Sequence, residues 1–324
     1  MVTHWLAELD GRRISVEAPA SSANLGAGYD CLGLALALVD RIDLEVRSWS
    51  RGEIELIVEG EGDGELPADR SNRFVRGLEA VLEEARGPLP EGIGWRVEMH
   101  NGIPLSRGLG SSAAATVAGV LAGNALLGEP FTSADLLRIA SAIEGHPDNA
   151  AAVLLGGFTV AAAVGDGPSP RIEALRFEAP RDLRAVLFIP DLRLSTAEMR
   201  DGLPAVVPRA DAIANLGRVA LGVAGLASGR IDLLAELTVD RLHEPYRALM
   251  YPELPLLVAA ARKAGAIGAC LSGAGSTVIA FADSVSVFSR IEGAFAAVAA
   301  DRDLPGRVEV VSPRNTGARI VGRG

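Results

Sequence analysis

The sequence predicts an α+β fold, in which strands and helices mix without the strict βαβ alternation of a doubly wound sheet. Three observations lead there. Several short segments alternate apolar and polar residues with period two. Others carry apolar residues at helical spacing, and Gly-, Pro- and Asp-rich turns separate them at irregular intervals. With 324 residues, 49% of them hydrophobic, the chain can fill one large or two modest cores and is unlike a disordered protein.

In chain order, Arg12 to Ala18, Ile42 to Val46, Glu53 to Glu59 and Gly94 to Asn101 alternate as strands do; in the last, Trp95, Val97 and Met99 share a face. Asn72 to Ala85 has helical spacing and stops before Gly87-Pro88. Ala113 to Leu127 is an alanine- and leucine-rich helix ended by Gly128. Thr132 or Ser133 is placed to cap a helix running towards Glu144. Gly156 to Val164 is apolar and β-like. The cluster Gly165-Asp166-Gly167-Pro168-Ser169-Pro170 predicts a domain boundary, dividing the chain into 1–166 and 167–324. Beyond it, Ala185 to Ile189 has the pattern of a buried strand, and a helix carries Leu216, Val219, Ala220, Val223 and Leu226. A helix at Pro255 to Ala264, strands at Ile267 to Leu271 and Thr277 to Phe281, a helix at Val285 to Ala299 and a strand at Arg307 to Val311 complete the chain. No internal repeat or low-complexity tract interrupts it.

Charge narrows the function. A net charge of −10 and a pI of about 5.0 argue against a general binder of nucleic acid or anionic membrane. They leave room for an anionic ligand held by a few local arginines. Cys31 and Cys270 sit in apolar surroundings without metal-type spacing, so free thiols are expected. Met1 to Arg13 is polar and lacks the apolar core of a signal peptide. Leu32 to Val39 falls short of the ~20 residues a membrane span takes. A cytoplasmic protein is expected.

The most informative segment is Pro104-Leu105-Ser106-Arg107-Gly108-Leu109-Gly110-Ser111-Ser112-Ala113-Ala114, a glycine-rich turn between a strand and a helix. The first N–H groups of a helix lack internal partners and its dipole favours an anion, so such a turn can cradle phosphate. Ser111 and Ser112 can cap the helix or offer oxygen to a phosphate-bound metal. Spacing alone leaves this reading level with that of an ordinary capped loop. The Gly-Lys-Ser/Thr ending of the common P-loop is absent, and the sole lysine, Lys263, lies far downstream.

Other polar groups have two readings each. In Glu144-Gly145-His146-Pro147-Asp148-Asn149, Glu144 could offer a hard oxygen to Mg²⁺ beside Ser112, and Asp148 could act as general base. Alternatively, Pro147 stops a helix and Asn149 caps the segment after it. Pro19 to Asp30 is a polar, Gly-rich loop whose Asn24 and Asp30 can accept hydrogen bonds, or an ordinary turn with an Asx contact. Arg200, in Leu194 to Arg200, and Arg247, in His243-Glu244-Pro245-Tyr246-Arg247, have the chemistry to grip a carboxylate. Nothing in the pattern separates them from the other cations among 31 Lys+Arg.

Three segments in this order, Pro19 to Asp30, Pro104 to Ala114 and Ser272-Gly273-Ala274-Gly275-Ser276-Thr277, resemble the GHMP kinase family. Its members include galactokinases, homoserine kinases and mevalonate kinases. Pro19 to Gly26, Glu144 to Asn149, Ser195-Thr196 with Arg200, and Glu244-Pro245 with Arg247 resemble the homoserine-phosphorylating branch. The chain departs at Ser276, where the family usually has proline, and at Ala150, where the branch usually has valine.

The resemblance runs from about residue 12 to Ala318. It implies a two-domain fold: an N-terminal domain like domain 2 of ribosomal protein S5 and a C-terminal ferredoxin-like domain, the last strand free to return to the first. It also implies an ATP- and Mg²⁺-dependent kinase that makes O-phospho-L-homoserine in threonine biosynthesis, often as a homodimer. By motif, Pro104 to Ala114 would bind the ATP phosphates and Asn72 the adenine, while Ser112 and Glu144 would hold Mg²⁺. Asn24, Asp30, His146, Thr196, Arg200 and Arg247 would contact homoserine. Asp148 matches an aspartate that is catalytic in mevalonate-type relatives and would be the base; alternatively the γ-phosphate takes the proton and Asp30 positions the hydroxyl. Rival readings are a kinase of the same family acting on mevalonate or a sugar, and a silent nucleotide-binding protein.

Overall fold

The computed structural model describes residues 4–47, 52–90, 92–165 and 171–324. A helical turn, α1 (His4–Ala7), precedes the long antiparallel pair β1 (Arg13–Ala23) and β2 (Leu32–Arg47). Then come β3 (Ile54–Gly60), α2 (Arg73–Arg86), β4 (Gly94–Asn101), α3 (Ser111–Leu126), α4 (Ser133–Glu144), α5 (Asp148–Leu155), β5 (Phe158–Val164) and β6 (Arg171–Phe177). The second part holds β7 (Arg184–Pro190), α6 (Thr196–Asp201), α7 (Arg209–Ser228), a 3-10 turn (Ile231–Leu233), α8 (Leu234–Leu237), α9 (Glu244–Arg247), α10 (Leu254–Lys263), β8 (Gly268–Leu271), β9 (Val278–Ala282), α11 (Val285–Asp301), β10 (Gly306–Val311) and β11 (Arg319–Arg323).

The first sheet runs β11-β1-β2-β4-β3, with β5 joined to β2 and β6 to β5; only β3 and β4 are parallel. The second is antiparallel in the order β10-β7-β9-β8. The mixed α+β class holds. β7 explains its unbroken apolar run by being buried on both faces. Ala185, Leu187 and Ile189 face the larger core, Val186 and Phe188 the smaller one under α10 and α11.

Three expectations change. The Gly165 to Pro170 cluster is no domain boundary, although 166–170 themselves lie outside the described residues. β6, just beyond it, pairs with β5 along its whole length, so a division at 166/167 cuts a hairpin. The change of sheet comes between Phe177 and Arg184, and β11 returns to pair with β1. β1 continues past Ala18 through Ala23, because its register with β2 resumes after an irregularity at Pro19/Ala20. On α7, Leu216 points outward at 71% exposure, while Asn215, Gly222 and Gly225 are buried. The helix packs through Val223 and Leu226, as expected, and through its small residues, a Cβ at Gly222 falling 2.6 Å from Leu237. This is the one helix among the described residues long and apolar enough to cross a membrane by length and composition.

Candidate active site

Both parts of the chain line a cavity of about 220 Å³. The predicted residues Asn24, Asp30, Glu144, His146, Asp148, Thr196, Arg200 and Arg247 converge on it, with Ser106 to Ala113 of the glycine-rich loop and Gly273 and Ala274 of the later one. A second cavity of about 300 Å³ is more apolar, with Leu66, Pro67, Met99 and Leu105 in its wall beside Asn72. Arg73, Ser106, Ser111 and Ser112 belong to both walls. Pro104 and Ala114 frame the loop without lining either.

The loop keeps the start of α3 open. Gly110, not a serine, is the N-cap, in the left-handed region at φ 71°, and no side chain caps the helix. Ser111 and Ser112 are its first helical residues, so their expected capping role is replaced. A left-handed cap leaves the terminal N–H groups uncovered, and the helix dipole then favours an anion. The glycines serve packing as well. A Cβ at Gly108 would fall 2.1 Å from Ser272 O, and one at Gly110 would fall 2.0 Å from Ser21 Oγ. Arg107, expected at the phosphates, instead turns its guanidinium to the second part of the chain. It donates to Pro190 O at 2.6 Å, Asp191 O at 3.0 Å and Leu105 O at 3.0 Å. The later glycine loop braces this arrangement, Ser272 Oγ donating to Gly108 O at 2.7 Å and Thr277 N to Arg107 O at 3.1 Å.

Glu144 ends α4 with its carboxylate against α3. Ser112 Oγ lies 3.0 Å from Oε2, and Thr116 Oγ1 donates to Oε1 at 2.6 Å. Thr116, four residues after Ser112 on the same helix face, escapes motif reasoning but not helical periodicity. One carboxylate and hydroxyl oxygens form a hard donor set, and no group of three or more His, Cys, Asp or Glu is placed for a metal among the described residues. This fits Mg²⁺, which takes one or two carboxylates and completes its shell with phosphate and water.

His146 Nδ1 and Asp148 Oδ1 are 2.6 Å apart, and Asn149 N donates to the same Oδ1 at 2.7 Å. The hydrogen bond to Asp148 raises the His146 pKa above its ordinary value, against the effect of burial. Asn149 does not cap α5; Pro147 is the N-cap, and the Asn149 side chain accepts from Ser21 Oγ at 2.8 Å.

At the far side, Asp30 and Arg200 form a two-pronged ion pair at 2.6 and 2.8 Å, and Arg200 also donates to Tyr29 Oη at 2.9 Å. That pairing pushes the Arg200 pKa further up. Asn24 is committed to the loop, accepting from Asp30 N at 3.0 Å and donating to Gly273 O at 2.9 Å. Asn72 is likewise engaged as the cap of α2, accepting from Phe74 N at 3.0 Å and donating to Pro67 O at 3.1 Å. Both side chains hold the cavity walls; each amide retains spare bonding capacity.

Arg247 is 1% exposed. Its Nη1 donates to Gly273 O at 3.0 Å and to His243 Nδ1 at 3.0 Å, and its Nε is buried without a partner. A guanidinium can only donate, so His243 Nδ1 is the acceptor and Nε2 carries the hydrogen, 2.8 Å from Gly26 O. Burial pushes the His243 pKa down to about 4, so the ring is neutral at pH 7. Asp240 fixes the turn before α9, accepting from the N–H groups of His243 at 2.7 Å and Glu244 at 2.8 Å and from Asn215 Nδ2 at 2.7 Å. Tyr29 completes the group. It stacks on His243 at 5.1 Å between centroids, and the guanidinium carbons of Arg200 and Arg247 each lie 5.5 Å from its ring. Tyr29, His243 and Asp240 were missed by sequence reasoning. His243 and Arg247 are four apart, but Tyr29, which meets both, and Gly26, which accepts from His243, lie more than 200 positions away.

Glu244 supplies a stability test. Part of the residue is exposed, yet its carboxyl reaches inward to accept from Leu271 N at 2.7 Å on a buried strand. Burial raises its pKa to about 8. The folded state then holds a proton that the unfolded state has lost between the ordinary value of 4.5 and about 8. Across that window wild-type stability falls as pH rises. Glu244→Gln removes the titration, so its melting temperature is expected to gain on the wild type from pH 5 to pH 9. A difference that stays flat over this range contradicts the assignment.

Comparison with known proteins gives the same picture. The model of the GHMP kinases N terminal domain matches residues 72–157, and that of the GHMP kinases C terminal matches residues 223–299. The chain is 41% identical over 307 residues to a homoserine kinase of Moorella thermoacetica, covering 94% of this chain and 99% of that one. It is 45% identical over 272 residues to a homoserine kinase of Corynebacterium efficiens, covering 83% and 85%. The crystal structure of homoserine kinase from Cytophaga hutchinsonii superposes with a TM-score of 0.82 at 31% identity, covering 95% and 97%. With both domain models matched in order and these relatives aligned over more than four-fifths of each chain, the chain belongs to the GHMP kinase family.

Proposed function

We infer that this chain is a homoserine kinase, an ATP-dependent small-molecule kinase that moves the γ-phosphoryl group of ATP to the side-chain hydroxyl of L-homoserine. The product, O-phospho-L-homoserine, belongs to threonine biosynthesis. The observation that carries the choice of acceptor is Arg247, buried with an unpartnered Nε, beside the Asp30–Arg200 pair. A zwitterion matches this set: its carboxylate supplies the missing acceptor for Arg247 and bonds Arg200, while its ammonium pairs with Asp30. Mevalonate lacks the ammonium, and a sugar lacks both charges.

In this reading the open N-terminus of α3 holds the phosphates, and the apolar second cavity takes the nucleoside. Ser112 and Glu144 would hold Mg²⁺, which would supply charge neutralisation and orientation of the phosphates. His146 and Thr196 line the acceptor's path. Asp148 has both its hydrogen bonds on Oδ1, which leaves Oδ2 to take the hydroxyl proton. The acceptor oxygen forms the new P–O bond, the bond from γ-phosphorus to the bridging oxygen breaks, and ADP leaves.

Substrate analogues test the acceptor assignment. 3-Aminopropan-1-ol lacks the carboxylate and 4-hydroxybutyrate lacks the ammonium. Each is expected to lose at least ~100-fold in kcat/KM, because a buried charged partner is left unpaired. Comparable rates with either analogue contradict it.

A further inference from the structure

The polyphosphate of a nucleotide carries several negative charges, and the glycine-rich loop brings no cation to them. Lys263 lines neither cavity. Four arginines line the first cavity, and three have other engagements. Arg107 is spent on backbone carbonyls across the two parts of the chain, Arg200 is paired with Asp30, and Arg247 is held by His243 and Gly273 O. The fourth is Arg73. Its side chain is 42% exposed, and it belongs to the walls of both cavities, where a nucleotide seated in one and reacting in the other must pass. Its Nη1 donates to Ile143 O at 3.1 Å and lies 3.5 Å from Glu144 Oε1, a loose contact that leaves most of the guanidinium's donors uncommitted.

The position of Arg73 is unfavourable for its own helix. It is the first residue of α2, whose first turn has no acidic residue to offset it. A cation there opposes the dipole of α2, so the stability of α2 does not account for it, and its one bond to the last turn of α4, at Ile143 O, engages a single donor.

We propose that Arg73 binds the polyphosphate of the nucleotide, supplying the positive charge that the glycine-rich loop lacks. The proposal rests on the assignment of the two cavities to ATP, not on the identity of the acceptor. Arginine suits the role because its planar fork can bridge two phosphate oxygens, or a phosphate and the Ile143 carbonyl, without moving its stem.

The test is nucleotide binding without metal or acceptor. ADP and adenosine are titrated into wild type, Arg73→Met and Arg73→Lys in EDTA, with melting curves confirming that each variant is folded. Arg73→Met is expected to weaken ADP about tenfold and to leave adenosine within twofold, and Arg73→Lys to recover part of the loss. An ADP affinity within twofold of wild type in Arg73→Met overturns the proposal. Equal weakening of ADP and adenosine also overturns it, by showing that Arg73 only shapes the wall. A wild type that binds ADP but does not phosphorylate homoserine would defeat the acceptor assignment and leave this comparison standing.

Discussion

Arg247→Met is expected to raise the KM for L-homoserine by at least ~30-fold while the KM for ATP stays within about twofold. The guanidinium is buried, and its neighbours leave its Nε without an acceptor. A substrate carboxylate would complete that group. Losing one partner of a desolvated charge pair costs about 2–5 kcal/mol, and each 1.4 kcal/mol is tenfold in affinity. The loss is confined to the acceptor because Arg247 bonds Gly273 O of the later glycine loop and not the phosphate loop, and shares the Tyr29 ring with Arg200. Since methionine also leaves His243 Nδ1 unpartnered, Arg247→Lys serves as the conservative comparison. It keeps the charge, loses the fork, and should recover part of the KM. Steady-state kinetics read both; a homoserine KM within threefold of wild type in Arg247→Met removes Arg247 from the acceptor site.

Asp148→Asn is expected to lower kcat by about 10²–10⁴, the usual contribution of a positioned general base, with little change in either KM. Asparagine preserves the size of the side chain and can keep accepting from Asn149 N and His146, so the first turn of α5 should survive. Circular dichroism and the melting temperature check this. The rival route sends the proton to a γ-phosphate oxygen, and there Asp148 only orients His146. Near-normal turnover in a folded Asp148→Asn selects that route. A pH profile adds a sign. The hydrogen bond to Asp148 raises the His146 pKa, so removing the carboxylate should let His146 titrate at lower pH than in wild type.

Regular elements were legible at several places where one face of a strand or helix is buried, though the first half of β2 and all of α5 escaped. β4 occupies Gly94–Asn101 as its alternation predicts, and Thr132 caps α4 through a reciprocal bond with Asp135. The hairpin of β5 and β6 was not, because Gly and Pro punctuate hairpins and domain linkers alike, and only strand pairing tells them apart. The start of α3 was misread in its details. A serine pair suggests caps, yet the left-handed Gly110 takes the cap and leaves the helix end open. In the active site, residues in local motifs converge as expected, but their tasks depend on distant partners. Arg107 looks like a phosphate ligand in sequence and is a brace between the two parts of the chain. Tyr29 and His243 stack across more than 200 residues, a meeting no periodicity encodes. Arg73 carries no local signal at all. It stands out only when the engagements of the other arginines are known.

The central claim is the reaction itself, and phosphorus NMR of the product tests it most directly. The purified chain with ATP, Mg²⁺ and L-homoserine should yield a new phosphomonoester resonance, in one-to-one ratio with ADP, and none when mevalonate, galactose or serine replaces homoserine. ADP with only inorganic phosphate, or a phosphomonoester that forms from one of those other acceptors and not from homoserine, would contradict it.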